Sequence, residues 1–304
     1  IETLGFSHDD IFLCMFSVFA HPHELFARPL ALGGSAAMVD SLNVRIVARA
    51  IERFRVTWVM AVPSFYEMLS EHAAGAGADL SCLRMLEAGG AHLPPEAYAR
   101  LADQLEATLV PVWGSTETSG VAVTQRPGGG CTPGSMGYVA PHYEVQVRGD
   151  DGAEVAPGDI GGMWVRGPAV VAGYWGDEEE TEHHFQGGWY DTDDLVRRRE
   201  GGELQFCARR SEMMKIGGIR VFPLEIELAL RSHPAVAEAV VVRAAATLRG
   251  EIARALVVLR DGPGIDARSL RTPRRDRLAP DPVPRLPALC AALPRPPACD
   301  GEPR

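Results

Sequence analysis

The chain has 304 residues, 46% apolar and 23% charged, with a net charge of -10. This length suits one large domain or two modest ones with a soluble globular profile. The negative balance disfavours a nucleic-acid partner, and no apolar run is long enough to span a membrane. Cys14, Cys82, Cys131, Cys207, Cys290 and Cys299 form no C-x-x-C pair and have no zinc-like spacing to His, so they read as reduced core residues of a cytoplasmic protein. Lys215 is the only lysine among 30 basic residues, so any lysine chemistry must use it. The start at Ile1, without a basic n-region, is expected of a chain entered partway through a domain and not of a signal peptide.

Ser7-His8-Asp9-Asp10 reads as a polar turn before the apolar stretch 11–20, and His21-Pro22-His23 follows. Two His around a Pro with no third ligand make a weak zinc signal; one His lining a pocket is the expected reading. Val44, Ile46, Val47, Ala50, Ile51 and Phe54 recur at helical spacing, so a helix is expected over 44–54. Residues 56–62 form a β-rich run stopped by Pro63, and a helix is expected over 65–73. A strand over 83–86 ends in Glu87-Ala88-Gly89-Gly90-Ala91, and Pro94-Pro95 opens the next helix. Helices alternating with short buried strands predict an α/β fold, a parallel sheet with helical crossovers.

The strand over 108–113 ends in Trp113-Gly114-Ser115-Thr116-Glu117-Thr118. Loops at the carboxyl edge of an open α/β sheet form ligand crevices, and this one offers two kinds of chemistry. The Thr116 hydroxyl can donate to a phosphate oxygen, and the Glu117 carboxylate can hold a hard cation such as Mg²⁺. Trp113 offers a flat face for a ring. An ordinary strand-to-loop turn with a solvated acid is the equal alternative from these residues alone.

From about residue 127, glycines punctuate short β-rich runs such as 143–147 and 163–166, which predicts a small antiparallel β barrel or sandwich. Asp177-Glu178-Glu179-Glu180 reads as a solvated helix start. A helix from Pro223 to about Arg231 and strands over 236–242 and 253–259 suggest a small α+β unit with its boundary near Arg210-Ser211. Residues 263–304 hold ten prolines without periodicity and read as a disordered tail.

Four motifs then stand in one order: Trp113-Gly114-Ser115-Thr116-Glu117; Met163-Trp164-Val165-Arg166-Gly167 with Gly173-Tyr174-Trp175; Trp189-Tyr190-Asp191-Thr192-Asp193-Asp194-Leu195; and Ala208-Arg209-Arg210-Ser211-Glu212-Met213-Met214-Lys215, followed by Glu225-Ile226-Glu227. Over roughly 8–262 the chain resembles the AMP-forming adenylating enzymes: acyl- and aryl-CoA ligases, adenylation domains of peptide synthetases, and luciferases. The resemblance implies an adenylation domain over 1–210 lacking its start, a small mobile domain over 211–262 and the tail 263–304. It implies ATP, Mg²⁺ and coenzyme A as cofactors and a small carboxylic acid as substrate.

By the same resemblance, Thr116 and Glu117 are catalytic, with Glu117 the metal contact. Asp194 and Arg209 hold the ribose. Gly89, Gly90 and Ala91 let adenine lie close to the backbone, and Trp113 lies beside the nucleotide. His21 borders the acid pocket, and Lys215 to Gly218 line the thiol channel. The implied reaction forms an acyl-adenylate and passes the acyl group to CoA or, alternatively, to a carrier protein.

The chain departs from the family pattern at four places. The phosphate loop with its Lys is expected before residue 1. Ser211 stands at the hinge Asp. Asp193 and Ala208 replace glycines. The C-terminal catalytic Lys position falls at about Asp300. These departures keep open an inactive, nucleotide-binding remnant. A serine hydrolase is set aside because no G-x-S-x-G is present.

Overall fold

The helix–strand alternation builds a seven-stranded sheet. The computed structural model describes residues 2–16, 22–125, 132–216, 219–246, 250–260, 270 and 288–290. The chain divides into two units, Ile1–Phe206 and Cys207–Arg304.

In the first unit the elements run β1 (Ile11–Cys14), α1 (Pro22–Leu32), β2 (Ser35–Met38), α2 (Val44–Phe54), β3 (Trp58–Ala61), α3 (Pro63–Ala76), β4 (Met85–Ala88), α4 (Pro95–Gln104), β5 (Thr108–Ser115), β6 (Gly120–Thr124) and β7 (Tyr138–Val139). The sheet order is β2-β1-β3-β4-β5-β6-β7. Pairings from β2 through β5 are parallel, and β6 and β7 add antiparallel.

The apolar stripe on α2 explains its place. Asn43 caps it by accepting from the Arg45 N–H at 3.0 Å, and Arg55 ends it at φ 53°. Its buried Val47 and Ile51 pack with Phe65, Tyr66 and Leu69 of α3 and Leu101 of α4 on one sheet face, against Leu13, Val59, Leu86 and Leu109. Each such fully buried aliphatic side chain stabilises the fold by roughly 1.5–3 kcal/mol. The other face carries Phe12, Cys14, Trp58, Met85, Val110 and Val112 under Phe6, whose ring stacks on Trp58 at 3.6 Å.

Two ion pairs are built into this sheet. Asp10, nearly buried, accepts from Arg84 Nε at 3.0 Å and Nη2 at 2.6 Å, from the Thr57 hydroxyl and from the Ser7 N–H. Glu87 is fully buried and accepts from Arg28 Nη1 at 2.8 and 3.0 Å and from Trp58 Nε1 at 2.7 Å. A buried carboxylate must be paired and hydrogen-bonded, and both are.

An antiparallel sheet follows, with β8 (Glu144–Arg148), β9 (Ile160–Arg166), α5 (Glu178–His184), β10 (Phe185–Gln186), β11 (Trp189–Arg198) and β12 (Leu204–Arg209). Its order is β10-β11-β9-β8. Val145, Val147, Met163, Val165, Val196 and Leu204 form its core with Ala122 and Val123 of β6.

The second unit holds the hairpin β13 (Met214–Ile216) and β14 (Ile219–Val221), helix α6 (Pro223–Arg231), and strands β15 (Val236–Ala246), β16 (Gly250–Leu259) and β17 (Ala288–Leu289). Ile226 and Leu230 of α6 pack on Val236, Val241, Ala255 and Val257. Glu227 accepts the Val241 N–H at 2.8 Å and so ties α6 to β15. Within 263–304, the described Leu270 is buried in this core, and Ala288–Leu289 pairs in parallel with Leu256–Val257. Among the described residues no helix is long and apolar enough to cross a membrane.

Candidate active site

The parallel strands β4 and β5 deliver two loops to the carboxyl edge of the sheet. β5 runs past the end of β4, since Ala88 pairs with Pro111 and β5 continues to Ser115. The loop 89–91 and the turn 114–119 both start there. Gly89 is buried, and its N–H continues the ladder to the Ala61 carbonyl at 3.1 Å. A Cβ at Gly89 would meet Val112 Cγ2 at 2.7 Å, so its small size is already required by strand packing. Gly90, at φ +73°, and Ala91 are exposed.

The turn after β5 is held from several sides. Gly114 closes the β5–β6 hairpin so tightly that a Cβ would overlap the Gly120 carbonyl. The Thr118 hydroxyl, fully buried, accepts the Ser115 N–H at 2.9 Å and donates to the Gly120 carbonyl at 2.7 Å. The Tyr143 hydroxyl donates to the Thr118 carbonyl at 2.6 Å. Thr118 thus shapes the turn, while Thr116 is exposed on it.

Glu117 is half-buried. The Tyr174 hydroxyl donates to its Oε1 at 2.8 Å, and the Val171 N–H donates to its backbone carbonyl at 2.9 Å. Burial pushes its carboxyl up, but hydrogen bonds, that from Tyr174 among them, outweigh this and hold it below the usual glutamate range. Burial and the neighbouring Glu117 charge push the Tyr174 hydroxyl up to about 12. At neutral pH the pair is therefore carboxylate acceptor and phenol donor. Among the described residues no group of three His, Cys, Asp or Glu is clustered for a metal. One ionised carboxylate suits Mg²⁺, which is commonly held by one or two carboxylates together with substrate phosphates.

Asp194 enters from β11. The pairing of β11 with β9 shifts register between Asp191 and Leu195, and this bulge carries the residue. The Thr192 hydroxyl holds the bulge, donating to the Met163 carbonyl at 2.9 Å and accepting the Asp194 N–H at 3.1 Å. Asp193 takes φ 62°. This is the position where the family motif has Gly, and the left-handed backbone is the reason for it; Asp tolerates that region better than most side chains. Asp194 is buried, and Trp113 Nε1 donates to its Oδ2 at 2.7 Å.

The structure thus places Thr116 and Glu117 on one turn and bonds Trp113, on the strand that leads into it, to Asp194. Gly89, Gly90 and Ala91 lie on the loop after the neighbouring strand. Arg209 and Lys215 belong to the second unit; both are exposed, and Lys215 sits opposite Arg220 in the β13–β14 hairpin. His21 and Gly218 lie outside the described residues. Sequence reasoning assigned no role to Tyr174, although it quoted the residue in a motif. It also missed the Arg28–Glu87 pair, because those two residues lie 59 apart in the chain.

The chain is 33% identical over 267 residues to an indoleacetate–CoA ligase of Aromatoleum aromaticum, a match covering 88% of this chain and 52% of the relative. Among solved structures, the amide bond synthetase McbA from Marinactinospora thermotolerans superposes with a TM-score of 0.87 at 30% identity, covering 96% of this chain and 60% of that one. The anthranilate CoA ligase AuaEII, in complex with anthranoyl-AMP, gives a TM-score of 0.85 at 25% identity, with 97% and 58% covered. The chain spans about half the length of the curated relatives it matches. The AMP-binding enzyme family matches residues 1–175, and the AMP-binding enzyme C-terminal domain matches residues 225–297. With more than half its residues under the first of these matches, the chain belongs to the AMP-binding enzyme family.

Proposed function

We propose that this chain carries the adenylating site of an ATP-dependent carboxylic acid–CoA ligase. The observation that carries the reading is the turn after β5: an ionised, braced Glu117 and an exposed Thr116, with Trp113 bonded to Asp194 beside them. The similarity to indoleacetate– and anthranilate–CoA ligases supports an aromatic acid as substrate.

Forming an acyl-adenylate joins a carboxylate to the α-phosphate of ATP, so negative charge must be offset. In this reading the Thr116 hydroxyl donates to a phosphate oxygen, and Glu117 holds Mg²⁺. Mg²⁺, when bound, supplies the positive charge that offsets the phosphates. Asp194, oriented by Trp113, accepts from the ribose hydroxyls. A carboxylate can accept more than one hydrogen bond, and Trp113, packed against the core of the antiparallel sheet, keeps part of its ring exposed. Gly90 and Ala91 give adenine an exposed backbone surface without bulky side chains, next to Gly89. The roles of Arg209, Lys215, Gly218 and His21 rest on the motif resemblance alone. The same holds for an adenylation domain over 1–210 with a small mobile domain after it, while a cytoplasmic location rests on the scattered cysteines.

The test is acid-dependent exchange of labelled pyrophosphate into ATP by the chain, with indoleacetate, anthranilate and medium-chain acids offered in turn. Exchange with one of them is expected. Binding of AMP without exchange for any acid would reduce the site to nucleotide binding. Thioester or amide formed on CoA, a carrier protein or an amine then identifies the acceptor; CoA is expected. The amine arm is included because of the structural likeness to an amide bond synthetase.

A further inference from the structure

The segment 171–184 is built around Glu117. The Val171 N–H holds its backbone carbonyl at 2.9 Å, and the Tyr174 hydroxyl holds its Oε1 at 2.8 Å. Tyr174 is itself fixed from three directions. Its N–H donates to Thr181 Oγ1 at 2.8 Å, and that hydroxyl donates on to the Asp177 carbonyl at 2.7 Å. Its ring meets Phe185 edge-on, with centroids 5.5 Å apart. The chain approaches Thr181 so closely at Gly173 that a Cβ there would overlap the Thr181 side chain. A tyrosine needed only to fill space requires none of this bonding, and its hydroxyl need not meet a carboxylate.

We propose that Tyr174 is a positioning residue, which holds the Glu117 carboxylate in one orientation for a divalent cation bound together with nucleotide phosphates. The inference rests on the reading of Glu117 as the metal-holding residue. Without the phenol, the half-buried carboxylate keeps its charge and the bonds that Ser115 and Tyr190 also give it, but loses the bond that fixes Oε1. Fixing it again on cation binding then costs conformational freedom. Partners that orient a metal ligand commonly change metal affinity by about 10–100-fold when removed.

The experiment measures ATP affinity by titration calorimetry for the full chain with Mn²⁺ and with EDTA, and follows free Mn²⁺ by electron paramagnetic resonance. In the wild type, Mn²⁺ is expected to raise ATP affinity, and Glu117→Gln to remove that gain. Tyr174→Phe keeps the ring against Phe185. It is expected to retain the metal-free ATP affinity and the melting temperature, while the gain from Mn²⁺ falls about tenfold. Should Tyr174→Phe not fold, Thr181→Val, which removes the acceptor for the Tyr174 N–H, is expected to lower the metal gain in the same direction. A full metal gain in the folded Tyr174 or Thr181 variant, with Glu117→Gln lacking it, overturns the role of Tyr174 alone. A full gain in Glu117→Gln, or no gain in the wild type, overturns the reading of Glu117 and this proposal with it.

Discussion

Trp113 Nε1 donates to Asp194 Oδ2 at 2.7 Å, joining residues 81 positions apart. One is on the strand that leads into the Thr116–Glu117 turn; the other sits on a bulge of the antiparallel sheet. The bond links two sheets of the first unit at the proposed nucleotide site.

Replacing Trp113 by Phe keeps a ring but deletes this donor. A buried carboxylate losing a hydrogen bond costs about 1–3 kcal/mol. Trp113→Phe is therefore expected to lower the unfolding free energy by that order and to weaken AMP binding several-fold. Urea denaturation and calorimetric titration with AMP check the two effects separately. Unchanged AMP affinity would detach Trp113 from the nucleotide site.

Asp193 has φ 62°, a backbone that glycine adopts without a steric penalty. Asp193→Gly is expected to leave stability unchanged or raise it by up to about 1 kcal/mol, strain relief being offset by unfolded-state entropy. Asp193→Val is expected to lose about 1–2 kcal/mol. Equal melting temperatures for the Gly and Val variants would show that the bulge relaxes freely.

The Arg28–Glu87 pair is buried on the Glu87 side, with side-chain exposures of 18% and 0%. Arg28→Met leaves Glu87 with the Trp58 N–H but without its countercharge, and is expected to cost about 3–5 kcal/mol. Removing both charges, as Arg28→Met with Glu87→Leu, is expected to recover most of that loss. A double-mutant cycle by urea denaturation reads the difference; additive losses would sink the pairing argument.

Asp10 gives the pH dependence. Burial raises its carboxyl, but the hydrogen bonds from Arg84, Ser7 and Thr57 and the Arg84 charge outweigh it, leaving it below the ordinary value of 3.8. The folded value is the lower one, so the unfolded chain takes up its proton first as pH falls. This stabilisation is complete well above pH 3.8, declines as pH falls through it, and is lost below the folded value. Asp10→Asn is expected to destabilise the protein at neutral pH and to flatten the acid limb of the stability curve. An unchanged acid limb would assign acid sensitivity elsewhere.

The elements from α2 to β5 were legible because their signals are local, whereas α1 and β2 were not read. The 44–54 stripe is α2, and Pro63 and Pro95 stand at helix starts, where a missing N–H costs nothing. The apolar stretch 11–20 was less legible: among its described residues the strand is only Ile11–Cys14, since hydrophobicity alone does not mark where pairing stops. Thr116 and Thr118 look alike in sequence, yet one is exposed and the other buried as the internal brace of the turn. Only the closing of β6 back onto β5 separates them.

By itself the sequence determined the order of elements from α2 to β5, the carboxyl-edge turn and the motif set, because periodicity, proline positions and short motifs are properties of neighbouring positions. Tertiary structure alone decided which side chains meet across distance: Trp113 with Asp194, Tyr174 with Glu117, Arg28 with Glu87. Those pairings depend on strand register and on a bulge, which long-range packing sets and no local pattern encodes.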